Sequence, residues 1–145
     1  MTKHAKWDTR MLDLVDLVAS WSKDPSTRVG AAIVDAHNRV VSLGFNGFPR
    51  AIEDGAALLD RDEKLRRTIH AEENALLFAK APVEGCTLYA THPPCAACTA
   101  KLIQAGIRRI VSRPAEPEFA ERWSADLRSA AGMCFEAGVP VEVLP

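Results

Sequence analysis

Short apolar runs alternate with helix-period segments along most of this chain, and that alternation restricts the fold more than any other feature. Between Trp7 and Trp21, the residues Met11, Leu14, Val15, Leu17, Val18 and Trp21 gather on one face of a 3.6-residue period, with Asp13 and Asp16 opposite. This predicts a half-buried first helix. Apolar runs at 29–34 and 40–45 follow, joined by Asp35-Ala36-His37-Asn38-Arg39, whose turn-prone residues predict an antiparallel hairpin. Asn46-Gly47-Phe48-Pro49 breaks the pattern, and 50–67 is charged without strand alternation, so it reads as a loop with room for a short helix. Helical spacing runs from 70 to 80, ending before Pro82. Beyond it, 86–90 reads as a buried strand, 96–105 as a helix stopped by Gly106, and 107–112 as a strand. An amphipathic helix over 118–131 and a short strand at 139–143 complete the order. Helices that alternate with strands after an opening hairpin imply an α/β fold, a mixed sheet covered by helices on both faces. No repeat, low-complexity tract or linker divides the chain, so a single domain over 1–145 is expected.

Composition narrows the class of partner. Apolar residues make up 48% of the chain and charged ones 26%, which suits a soluble domain with its own core. A formal net charge of −1 gives no global attraction to a nucleic-acid polymer or an anionic membrane, so a small substrate fits better. The longest uncharged apolar stretches, such as 30–34 and 75–79, fall far short of the roughly 20 residues a membrane helix needs. The polar start MTKHAKWDTR lacks the apolar core and cleavage site of a secretory signal, so a cytoplasmic location is expected. Cys95 and Cys98 form a C-x-x-C pair, while Cys86 and Cys134 stand alone in apolar surroundings. That usage favours reduced thiols and a metal over a disulfide framework.

The chemistry is concentrated in two short segments. His70-Ala71-Glu72 opens one predicted helix, and Pro93-Pro94-Cys95-Ala96-Ala97-Cys98 opens another after a buried strand. One imidazole and two thiolates satisfy three positions of tetrahedral zinc and leave the fourth for water, as a catalytic ion requires. Free amides and partial positive charge at helix N-termini lower thiol pKa values, which helps keep Cys95 and Cys98 as thiolates. Zinc lowers the pKa of water from about 16 towards 7. Glu72, two residues beyond the histidine, is placed to move protons without ligating. Two other readings compete. A redox C-x-x-C would leave His70 and Glu72 without a role, and a structural zinc would need a fourth ligand, for which His92 is the nearby candidate.

Paired in this way, H-A-E and P-C-A-A-C match the general pattern of zinc-dependent nucleobase deaminases. The wider chain resembles the cytidine deaminase-like superfamily and, within it, the deoxycytidylate (dCMP) deaminase family. The likeness runs through D-P-S-T-R-V-G-A-A-I-V at 24–34, G-F-N-G-F-P at 44–49, H-A-E-E-N-A at 70–75 and P-C-A-A-C at 94–98, continuing to I-Q-A-G-I at 103–107. The resemblance implies a three-layer α-β-α sandwich with a mixed five-stranded sheet, and hydrolysis of dCMP to dUMP and ammonia on one catalytic zinc ion. It implies sugar contact by Asn46 and reading of the base edge by backbone near Ala71 and Glu72. It also implies a homo-oligomer, often a hexamer, and dCTP and dTTP as effectors.

Several positions depart from the family pattern. Ser26 stands where many cellular members carry an arginine suited to a phosphate, so the phosphate contacts are expected instead from Arg28, Arg50, Lys64, Arg66 and Arg67. Ala51 replaces the glycine expected after 44–50, altering the loop that elsewhere receives the effector. The extra Cys and His ligands of a second, structural zinc found in some viral members are not seen. Cys86 and Cys134 are expected in the core, Trp21, Phe78 and Trp123 in the core or at a subunit contact, and Phe48 beside substrate or a neighbouring subunit. A deaminase of another base or nucleoside, and a non-catalytic zinc-stabilised binding module, are the alternative functions.

Overall fold

The computed structural model describes residues 3–145. In chain order it contains α1 (Lys3–Ala19), β1 (Gly30–Val34), β2 (Val40–Phe45), a 3-10 turn (Ala56–Leu58), α2 (Arg61–Arg67) and α3 (Ala71–Phe78). There follow β3 (Thr87–Ala90), α4 (Ala96–Gln104), β4 (Arg109–Ser112), α5 (Pro117–Arg122), α6 (Ser124–Ala137) and β5 (Val141–Val143). The five strands form one sheet in the order β2-β1-β3-β4-β5. β1 is antiparallel to both β2 and β3, whereas β3, β4 and β5 run parallel. This is the mixed five-stranded sheet expected, and the elements fall into three layers.

Alternation along β1 sorts the two cores. Ala31 and Ile33 join Leu88, Ala90 and Ile110 against Ala71 and Ala75 of α3, Leu102 of α4 and Cys134 of α6. Ala32 and Val34 face the other way, with Tyr89 and Val111, onto Met11, Leu12 and Val15 of α1. Leu12, Ile33, Leu88, Leu102 and Ile110 are the largest fully buried side chains, and each contributes on the order of 1.5–3 kcal/mol through its burial. Cys86 and Cys134 are buried free thiols. Two glycines set the distance between layers. A Cβ on Gly30 would stand 2.2 Å from the Val15 carbonyl oxygen of α1, and one on Gly44 would stand 2.2 Å from that of Ala71 in α3. Ser42, on the same face as Gly44, donates its hydroxyl to the Ala75 carbonyl at 2.7 Å and ties α3 to β2.

The first helix ends at Ala19 because the amides of Ser20, Trp21 and Ser22 turn back to the carbonyls three residues earlier. Leu17 and Trp21, read as part of the apolar stripe, are 56% and 48% exposed. The buried stripe uses Leu12 and Ala19 instead. A buried polar cluster fastens α1 to the far side of the sheet. Arg109 of β4 makes a two-pronged pair with Asp8 at 2.8 and 2.6 Å, and the Tyr89 hydroxyl donates to the same carboxylate at 2.7 Å. Burial and the Asp8 charge push the Tyr89 phenol well above its ordinary range.

The single helix expected over 118–131 is two. At Trp123 the backbone leaves the helical region (φ −104°, ψ 20°), and α6 begins at Ser124. The 50–67 segment resolves into the 3-10 turn and α2, whose N-cap Asp60 accepts the Glu63 amide. Within it, Ala51 adopts φ +69°, so the left-handed turn favouring glycine persists although an alanine occupies it. Left-handed backbone costs a residue with a Cβ about 1–2 kcal/mol, whereas glycine gives back part of that gain as unfolded-state entropy. Ala51→Gly is therefore expected to stabilise the protein by about 0.5–1 kcal/mol, a rise of roughly 2–4 °C in Tm; an unchanged or lower Tm in a thermal melt would show that the turn carries no such strain. Among the described residues no helix is long and apolar enough to cross a membrane.

Candidate functional site

Two helix N-termini meet at one end of the sheet and bring the three expected ligands together. His70 is the N-cap of α3 and Cys95 the N-cap of α4, with Cys98 one turn into that helix. Their ligating atoms all lie within 4.8 Å of one another. The Nδ1 atom of His70 is 3.2 Å from Cys98 Sγ and 3.6 Å from Cys95 Sγ. Standard zinc–sulfur and zinc–nitrogen bonds in a tetrahedron separate an N and an S ligand by about 3.5 Å, so the donor set and its spacing fit one zinc ion. His92, the candidate fourth ligand, is not part of this group; its ring packs against Phe119 at 6.0 Å. Three ligands leave a tetrahedral ion one open position.

Helix ends and neighbouring side chains hold the ligands in place. Cys95 Sγ accepts the Cys98 amide at 3.4 Å. Hydrogen bonding from Cys98 and from His70 holds the Cys95 thiol well below its ordinary range. Glu73 accepts the His70 amide at 3.1 Å and pairs with Lys101 of α4 at 2.5 Å, so one carboxylate links the two ligand-bearing helices. Burial raises the Glu73 pKa, yet the Lys101 bond and the His70 amide outweigh it, and the net shift is downward. Asp126 of α6 accepts the Ala96 amide at 2.8 Å, satisfying a free N–H at the start of α4.

The ligands open onto a cavity of about 250 Å³. Glu72 lines it and is only 4% exposed, and burial pushes its carboxyl above the ordinary range. Ala71, fully buried, lines it too. Asn46 is on the wall, where its side chain also braces the 24–29 loop: Oδ1 accepts the Val29 amide at 2.8 Å and Nδ2 donates to the Thr27 carbonyl at 2.9 Å. The other end of this loop is held by Asp24, whose Oδ1 accepts the amides of Ser26 and Thr27. Lys64, 8% exposed, reaches the same oxygen at 3.2 Å and the Ser26 hydroxyl at 2.6 Å. Burial raises the Asp24 pKa, but those amides and Lys64 prevail, and it lies below the ordinary value.

The other cations expected to meet substrate are elsewhere. Arg28 is exposed and reaches only the Asp24 carbonyl, at 3.5 Å. Arg50 lies over the Phe78 ring at 5.5 Å. Arg66 and Arg67 turn to Glu63 one helical turn back and line a separate, more open depression with Pro49 and Ile52. None of these four lines the cavity, and neither does Phe48. The cavity is lined instead by Arg61 of α2, Arg122 of α5 and the aromatics Phe119 and Trp123, whose rings lie tilted against each other with centroids 6.1 Å apart. Trp123, expected in the core or at a subunit contact, is thus a pocket residue. The i, i+4 spacing of Phe119 and Trp123 is the only cue the sequence offers to that wall; nothing in it distinguishes Arg61 or Arg122 from other charged positions.

Comparison with known proteins accords with this geometry. The family model for the cytidine and deoxycytidylate deaminase zinc-binding region matches residues 5–113. An uncharacterized deaminase in the luxG 3′ region of Aliivibrio fischeri is 46% identical over 141 residues, covering 97% of this chain and 95% of its own. A probable deoxycytidylate deaminase of Caenorhabditis elegans is 34% identical over 88% of this chain and 67% of its own. The deoxycytidylate deaminase of Mus musculus is 36% identical over 74% of this chain and 65% of its own. In fold, the dCMP deaminase of the cyanophage S-TIM5, solved with dCMP and dUMP, superposes with a TM-score of 0.80 over 99% of both chains at 24% identity. With a zinc-competent His-Cys-Cys centre at the mouths of two helices and this breadth of likeness, the chain belongs to the cytidine and deoxycytidylate deaminase zinc-binding family.

Proposed function

We propose that this protein hydrolyses dCMP to dUMP and ammonia. The observation that carries the reading is Glu72, a carboxylate only 4% exposed that lines the cavity two residues beyond a ligand and pairs with no cation among the described residues. A carboxylate so placed is not explained by surface solubility or by an ion pair. Zinc on His70, Cys95 and Cys98 supplies Lewis acidity, lowering the pKa of water from about 16 towards 7. Glu72 takes one proton from the attacking water and delivers it to ring nitrogen 3 of the cytosine. The same carboxylate passes the second proton to the exocyclic nitrogen, the bond from that nitrogen to carbon 4 breaks, and ammonia leaves. Ala71 offers its backbone to the base edge. Asn46 retains one amide N–H beyond its two loop bonds and offers it to the sugar. The names of the worm and mouse relatives support deoxycytidylate as the substrate.

Ammonia release from dCMP, CMP, deoxycytidine, cytosine and dCTP, using protein of known zinc content, tests this reading. Preference for dCMP is the expected result. Activity on deoxycytidine alone would move the protein to the nucleoside branch, and silence of zinc-loaded protein on all five would remove the reading.

The chain is further read as a homo-oligomer, a hexamer by resemblance. Trp21 and Phe45, edge to face at 6.2 Å, are 48% and 39% exposed beside the outer strand β2, where a second copy would cover them. A cytoplasmic location completes the proposal; the dCTP and dTTP effectors that the resemblance implies are not part of it, because Ala51 replaces the expected glycine in the loop that elsewhere receives them.

A further inference from the structure

We infer that Arg61 and Arg122, with Lys64 between Asp24 and Ser26, recognise the 5′-phosphate and make the protein select a nucleotide over a nucleoside. The inference rests on the deamination reading for the position of the base. With carbon 4 directed at His70, Cys95 and Cys98, the phosphate lies at the opposite end of the substrate, away from the ligands. Three cations line the cavity, Arg61, Lys64 and Arg122, in a chain whose net charge is −1. Their presence there does not reflect a general basic surplus.

The acids on the same wall are already committed. Asp24 accepts two loop amides and Lys64, Asp126 accepts the Ala96 amide, and Glu72 is buried beside the ligands. Lys64 uses two of its three ammonium hydrogens on Asp24 and Ser26, leaving one donor and little net charge. Arg61 and Arg122 differ from it, because neither guanidinium makes an ion pair or a side-chain hydrogen bond among the described residues. Two uncommitted guanidinium forks from separate helices on one small cavity suit a dianionic group, since arginine binds phosphate oxygens two at a time. The Thr27 hydroxyl, lining the same cavity, adds a neutral donor, whereas the Ser26 hydroxyl is spent on Asp24 Oδ1 at 3.1 Å. Ser26 thus holds Lys64 in place at the position where an arginine was expected.

The test is binding of dUMP and deoxyuridine to the zinc-loaded full chain by calorimetry, with Arg61→Gln, Arg122→Gln, the double variant, and Arg39→Gln as a distant charge control. Both target arginines are exposed, so folding is not at stake. The wild-type preference for dUMP is expected to fall at least tenfold in each single variant and about a hundredfold in the double, with deoxyuridine affinity unchanged and Arg39→Gln silent. Equal binding of dUMP and deoxyuridine by wild type overturns the inference. Retention of the preference by either single variant, or an equal loss in Arg39→Gln, does the same. A wild type that prefers dUMP through these arginines yet releases no ammonia from dCMP would keep the phosphate site and discard the deamination reading.

Discussion

Glu72→Gln is expected to lower kcat by about a thousandfold or more, with zinc content and far-ultraviolet circular dichroism unchanged. Glutamine preserves the shape of the side chain and removes its ability to carry a proton. General acid–base catalysis contributes about 10²–10⁴ in rate, and Glu72 serves both proton transfers of the proposed reaction, so the upper half of that range applies. A thousandfold corresponds to about 4 kcal/mol of barrier. The residue is not a ligand, since the metal-competent group is His70, Cys95 and Cys98, and a variant that also loses its zinc would report on the centre and not on the proton carrier. Near-wild-type ammonia release by the zinc-replete variant would end the proposed role of this carboxylate, and the binding-module alternative would then stand.

A single methyl group on Gly44 is expected to have the largest effect on the fold. An added Cβ would meet the Ala71 carbonyl oxygen at 2.2 Å and the Ala75 amide nitrogen at 2.5 Å, both backbone atoms of α3 with no flexible end to swing aside. Overpacking a rigid site costs about 1–3 kcal/mol and occasionally more, and a backbone-on-backbone collision belongs at the top of that range. About 3 kcal/mol corresponds to a fall of roughly 6–12 °C in Tm for a chain of this size. The cost reaches the chemistry as well. Ala71 and Glu72 open the helix that Gly44 seats, and His70 caps it, so lifting α3 moves His70 and the proposed proton carrier Glu72 away from Cys95 and Cys98. Gly44→Ala is expected to lose zinc at a lower chelator concentration than wild type, whereas Gly47→Ala, whose Cβ would meet nothing within 4 Å, serves as the neutral comparison. Equal melting temperatures for the two variants would show that the layers yield more easily than their spacing implies.

Local pattern made some parts of this molecule legible before the structure. The buried runs of β1, β3 and β4 and the helices opening at His70 and Cys95 are stated by apolar periodicity and by residues suited to helix starts, and both survive because neighbours along the chain determine them. The metal group was legible for the same reason, as the ligand types sit at fixed offsets from two helix N-termini. The cavity wall was not. Arg61, Arg122, Phe119 and Trp123 lie on α2, α5 and the break before α6, short helices that lack a clean apolar stripe and are placed by packing on other elements. Charge type alone made Arg28, Arg50, Arg66 and Arg67 equally good candidates. The choice among them depended on directions set by Glu63, Phe78 and the Asp24 loop. Leu17 and Trp21 fit the helical stripe equally well in sequence, and only the docked position of α1 leaves them outside.

The pair between Asp8 and Arg109 has a consequence for biosynthesis. Its two partners are 101 residues apart in the chain, so at a translation rate of about 5–20 residues per second the carboxylate is made some 5–20 s before the guanidinium that neutralises it. During that interval the first helix has the β1–β2 hairpin to rest its apolar side on, but not the two-pronged bond that Arg109 brings to Asp8 from β4. The nascent chain therefore waits for its fourth strand before α1 is locked down, and an arrested product ending short of Arg109 would carry that helix loosely attached, an accessible target for proteolysis.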